Sequence, residues 1–91
     1  MAVQQDPVRV ISQSLDQSGL RLSARIRNIS VRPVPAAVIT ALLYDANGNL
    51  VNASQTTVSE LLPEGEKDIV FTWQEPFSEP VVRAEITPRV Q

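Results

Sequence analysis

From Ala37 to Trp73 the chain reads strand, turn, strand, loop, strand. The successive segments are AVITALLY, DANGN, LVNASQTTV, SELLPEGE and KDIVFTW. Asn47-Gly48 supplies residues that tolerate positive φ, which a tight hairpin turn requires. Pro63 and Gly65 break the chain again before the last of these runs. Seven prolines spread over 91 residues disfavour long helices, because each removes a backbone donor and clashes with the preceding turn. The chain is left to pair strands.

The flanking segments carry the same signal. Val8 to Leu15 reads as a first strand, and Asp16-Gln17-Ser18-Gly19 as a turn. Leu20 to Asn28 alternates cleanly: Leu20, Leu22, Ala24 and Ile26 point one way, Arg21, Ser23, Arg25 and Arg27 the other. Asn28 to Ala36, with Pro33 and Pro35, reads as a loop or irregular edge. Ala37 to Tyr44 is apolar on both faces, as a central strand or a partly covered outer face would be. Leu50 to Val58 is polar and Thr-rich, an edge strand, and Leu61 to Glu66 crosses over. Lys67 to Trp73 alternates again. Gln74 to Pro80 is a proline-bounded loop with Phe77 tucked inward, and Val81 to Thr87 is the last strand. The expected core is Leu20, Leu22, Ala24, Ile26, Ile39, Ala41, Leu43, Ile69, Phe71, Val82, Ala84 and Ile86.

Ninety-one residues suit one domain, spanning 1–91, with a single modest core. Without cysteine there is neither a disulfide framework nor a Cys-based zinc site. A net charge of −2 gives no support for nucleic-acid binding. The charge is uneven: residues 1–35 hold five arginines against two acids, and residues 36–91 three bases against eight acids. Complementary neighbouring strands account for this better than a ligand patch. No apolar run approaches the roughly 20 residues that a membrane-spanning helix needs. MAVQQDPV has neither the charged nor the apolar region of a signal peptide, and Met1-Ala2 reads as a start added to an excised domain.

Several constellations invite a chemical reading. Asp45-x-Asn47-x-Asn49 has the spacing that opens a calcium loop, but Leu50 follows and Thr56 stands where the closing acid belongs, so turn chemistry is the better account. Glu60, Glu64, Glu66, Asp68 and Glu75 gather around one crossover, where solvated loop acids are commoner than a metal site. Glu75 and Glu79 have the residue types of a glycosidase pair without visible cleft residues. Arg21, Arg25 and Arg27 form a basic stripe on one strand face, without the interleaved aromatics of a nucleic-acid surface. Trp73 and Tyr44 could stack a sugar, though a tryptophan ending an alternating strand is more often an edge plug of the core. With no His there is no Ser-His triad, and Asn28-Ile29-Ser30 and Asn52-Ala53-Ser54 are sequons only in a eukaryotic secretory host. The apolar strip Val38, Leu42 and Tyr44, on the second face of its strand, is the candidate contact surface.

The order of motifs resembles the CARDB and FxLYD groups of bacterial and archaeal immunoglobulin-like domains. The residues that carry the resemblance are Asn28, Leu43-Tyr44-Asp45, Gly48, Leu62-Pro63-Glu64-Gly65-Glu66 and Phe71-Thr72-Trp73, in a span from Leu20 to about Thr87. Glu64 interrupts the Pro-Gly-Glu element, and Ala41 stands at the FxLYD phenylalanine position. The chain is similar to the C-terminal domains of membrane-tethered extracytoplasmic proteins of unknown function. The resemblance implies an immunoglobulin-like antiparallel β-sandwich of six to seven strands, in which Leu20–Arg27 pairs with Lys67–Trp73 and sets Asp68 opposite an arginine. It also implies a non-enzymatic extracytoplasmic domain, at the cell surface or envelope, for protein–protein contact, assembly or spacing. A protein partner or self-association is expected, with no cofactor, no metal and no nucleic acid, and membrane attachment only through an anchor in a parent chain. The alternative is a weak carbohydrate- or calcium-binding module.

Overall fold

The computed structural model describes residues 7–91; the reading of Met1-Ala2 lies outside them. Every regular element among the described residues is a strand: β1 (Val8–Asp16), β2 (Arg21–Asn28), β3 (Val34–Tyr44), β4 (Leu50–Leu61), β5 (Glu66–Thr72) and β6 (Arg83–Val90). They form two antiparallel sheets ordered β1-β2-β5 and β4-β3-β6. The chain turns back within a sheet at β1–β2 and β3–β4, and changes sheet at each of the other three connections. β2 pairs with β5, so that Arg25 faces Asp68 across the ladder.

The sheets share one aliphatic core. Leu22, Ala24 and Ile26 of β2 and Ile69 and Phe71 of β5 are buried with Ala37, Ile39, Ala41 and Leu43 of β3. Each is the inward member of a period-two alternation, and burying a side chain of the size of Leu or Ile contributes about 1.5–3 kcal/mol. β3 is the central strand of its sheet, which explains its apolar residues on both faces, and the polar β4 is an edge.

Of the residues expected in the core, Leu20 and Val82 stand elsewhere, and Ala84 and Ile86 line its margin. Leu20 is half-exposed, because it closes the β1–β2 turn at a φ of 53°. Val82 is 63% exposed while Val81 is 4% exposed. The amide of Gln17 grips Val81 through both backbone groups, Nε2 donating to its carbonyl (2.8 Å) and its N–H donating to Oε1 (3.0 Å). Val82 N–H meanwhile donates to Tyr44 O, one residue out of step with the β3–β6 ladder, so the alternation slips before β6 begins. Ala84 and Ile86 point inward but are only half-buried, since β6 is an edge strand. Val8, Val34, Ala37, Leu61 and Val81 complete the core.

Two strands extend further than their prolines suggest. β3 begins at Val34 and contains Pro35; the ladder omits Pro35 and the residue opposite, Glu60, which turns to a φ of 54°. β6 runs through Pro88 to Val90. Gln91 N–H donates to Ala36 O, and bonded pairs recur at every second residue of an antiparallel ladder. Pro88 therefore occupies an unbonded position opposite Ile39, where its missing N–H would have faced outward.

Candidate functional site

On the outer face of the second sheet, β3 presents Val38, Thr40, Leu42 and Tyr44, all half-buried. The expected strip is thus one continuous row. Its cross-strand neighbours are Thr57, Gln55, Ala53 and Leu50 on β4, and Arg89, Thr87, Glu85 and Arg83 on β6. The Arg83 guanidinium lies 4.3 Å from the centre of the Tyr44 ring, near enough for the cation to be drawn to the ring face. The same arginine pairs with Glu85 at 3.3 Å. The strip is an aliphatic line with a polar bank on one side, a charged bank on the other and Tyr44 clamped at one end.

The basic stripe lies on the outer face of the first sheet, largely neutralised. Arg25 Nε donates to Asp68 Oδ1 at 2.8 Å and Nη2 to Asp68 Oδ2 at 3.3 Å, with Glu66 3.6 Å from Nη1. The hydrogen bond from Arg25 and its charge hold the Asp68 carboxyl below the usual carboxylate range and raise Arg25 in turn. Arg27 pairs with Glu64. Arg21 faces Asp16, whose carboxyl is lowered chiefly by the Gly19 N–H and then by the Ser18 hydroxyl. Part of the charge asymmetry of the sequence thus goes into ion pairs of Arg25 and Arg27 with acids of the second half.

The remaining candidates separate in space or in role. The carboxylate of Asp45 receives the backbone N–H groups of Asn47 and Asn49, both at 2.9 Å, and Gly48 takes a φ of 81°. The Asn49 N–H is the main cause of the lowered Asp45 carboxyl. DANGN is thus organised as a turn around its first acid. Of the crossover acids, Glu64 goes to Arg27, and Glu66 and Asp68 to Arg25; among the described residues no three His, Cys, Asp or Glu side chains gather as metal ligands. Trp73 and Tyr44 do not form a platform. Trp73 packs edge-on against Phe77, 5.5 Å between ring centroids, and donates Nε1–H to Ala53 O of β4. It plugs the core and ties the two sheets together.

Asn28 has a part that its sequon did not disclose. It is fully buried and every polar group of it is used. Nδ2 donates to the carbonyls of Arg32 (2.8 Å) and Leu61 (3.0 Å), and Oδ1 accepts from the backbone and hydroxyl of Ser30. Its own N–H donates to Gly65 O, and its carbonyl accepts from Glu64 N–H. The side chain ties the β2–β3 loop to the end of β4, and the Asn28 backbone ties it to the β4–β5 loop.

No known family, curated protein or solved structure matches this chain.

Proposed function

We propose that this is a non-catalytic interaction domain of immunoglobulin-like type, serving protein–protein contact, assembly or spacing outside the cytoplasmic membrane. The observation that carries the contact role is the half-exposed Val38–Thr40–Leu42–Tyr44 row on the central strand, with its arginine-clamped end. An apolar line between a polar and a charged bank suits a protein surface, where aliphatic contact supplies affinity and the rim supplies orientation. The motif order, with Asn28, the Leu43-Tyr44-Asp45 run and Phe71-Thr72-Trp73, supports the immunoglobulin-like assignment and the extracytoplasmic location.

Leu42→Asp tests the contact role. Leu42 lies on the outer face, so the variant is expected to keep the fold by circular dichroism and to weaken association, whether with itself or with another protein. Association unchanged in Leu42→Asp would remove the strip from the proposal. Calcium or glycan titrations that moved the amide signals of Asp45 or Trp73 would favour a ligand-binding module instead.

A further inference from the structure

The two sheets leave four strand edges, and a free row of backbone N–H and C=O groups is a template for another strand. Three of the four carry an obstruction. β1 is bulged between Val10 and Ser12, and Gln13 turns its side chain away to Ala84 O on β6 (3.0 Å). β6 has that carbonyl occupied and presents Pro88 where a donor is needed. On β4 the outward row includes Ala53, Gln55, Thr57 and Ser59. Trp73 Nε1 occupies Ala53 O, Asn52 Oδ1 occupies Ala53 N–H, and Lys67 Nζ donates to Ser59 O at 2.6 Å.

β5 is different. Asn28 N–H bonds Gly65 O and Trp73 N–H bonds Leu20 O, so the odd-numbered residues of β5 serve the ladder with β2. Glu66, Asp68, Val70 and Thr72 therefore turn their N–H and C=O groups outward. The two acids at one end are drawn to Arg25. Val70, in the other half, is 50% exposed.

Resting on the interaction-domain reading, we propose that β5 pairs antiparallel with β5 of a second copy, about a two-fold axis at Val70. This register sets the exposed valine against its own copy and Asp68 against Thr72, with no acid opposite an acid. Shifting the axis to Asp68 would oppose two like charges, which is destabilising. Shifting it to Ile69 would set each Asp68 carboxylate against a valine. Pairing at Val70 joins two three-stranded sheets into one of six strands, an isologous contact that closes on itself.

The test follows from the ladder phase. Val70→Pro removes an N–H that β2 does not use, so the fold is expected to stand while strand addition is blocked. Val70→Lys leaves the backbone alone and opposes two ammonium groups at the axis. Sedimentation equilibrium of the 91-residue chain, from micromolar to millimolar, is expected to show a dimer that either variant weakens about tenfold or more. In the parent chain the amides of Asp68, Val70 and Thr72 are expected to exchange more slowly as concentration rises. A chain that stays monomeric with those amides fast, a dimer indifferent to both variants, or a dimer tightened by Val70→Lys would each overturn the proposal. A dimer dissociated by Leu42→Asp and indifferent to the Val70 variants would leave the interaction-domain reading standing and remove only the β5 edge.

Discussion

Asn28 illustrates how a single polar side chain can hold a small aliphatic fold in one arrangement. Its amide satisfies two carbonyls that would otherwise lie without partners beneath the loops, and its oxygen orders Ser30. Asn28→Ala removes both donors and leaves the Leu61 carbonyl, within a buried residue, unpaired. The expected cost is about 2–4 kcal/mol, read as a lower urea midpoint at unchanged slope. A cost below about 0.5 kcal/mol, the scale of an ordinary surface change, would contradict this role. The sequence shows an asparagine ending an alternating strand; the four partners of its side-chain amide come from Ser30, Arg32 and Leu61, and only the last is distant in the chain. Period-two spacing with Leu22, Ala24 and Ile26 puts Asn28 on the inward face, but nothing local in the sequence shows which groups its amide meets there. Val81 and Val82 are the opposite case, since alternation alone cannot assign an inward phase where the chain slips by one residue.

At the scale of elements, the legible features were those written in local chemistry. Period-two alternation marked β2 and β5, apolarity on both faces marked the central β3, and Asn47-Gly48 marked the β3–β4 hairpin. The ends of β3 and β6 were not legible, because Pro35 and Pro88 look like breakers until their ladder positions are known. The strip Val38, Leu42 and Tyr44 could be read from β3 alone, whereas the Arg83 clamp depends on the β3–β6 register. The outward row of β5 likewise depends on which residues face β2. Gln17 gives a test of how one element is seated. Its amide acts as a short extra rung between the β1–β2 turn and the approach to β6. Gln17→Ala is expected to cost about 1–3 kcal/mol by leaving the backbone groups of buried Val81 unpaired. Faster amide exchange at Val81, with the β2–β5 amides unaffected, would show that the effect is local.

For the whole molecule, acid stability is set by carboxylates spread over separate places. Asp16, Asp45 and Asp68 are all held below their ordinary value near 3.8. A carboxyl with a depressed folded pKa binds fewer protons in the folded state than in the unfolded state. Its stabilisation is complete above the unfolded value and is lost as pH falls through the folded one. The urea midpoint is therefore expected to be level above about pH 5 and to fall below about pH 4. Asp45→Asn keeps an oxygen for the turn amides without the titrating proton, and should reduce that slope. An unchanged slope would show that the DANGN carboxylate does not couple to folding.

The same architecture has a mechanical consequence. Pro7 O accepts from Ile29 N–H, and Gln91 N–H donates to Ala36 O. Residues 7 and 91 thus leave from the same end of the two sheets, the end at which Asn28 is buried. Tension applied between them loads β1 and β6 by peeling, one rung after another, rather than by shearing whole ladders at once. Unfolding by a pull between residues 7 and 91 is therefore expected at low force, rung by rung from this end.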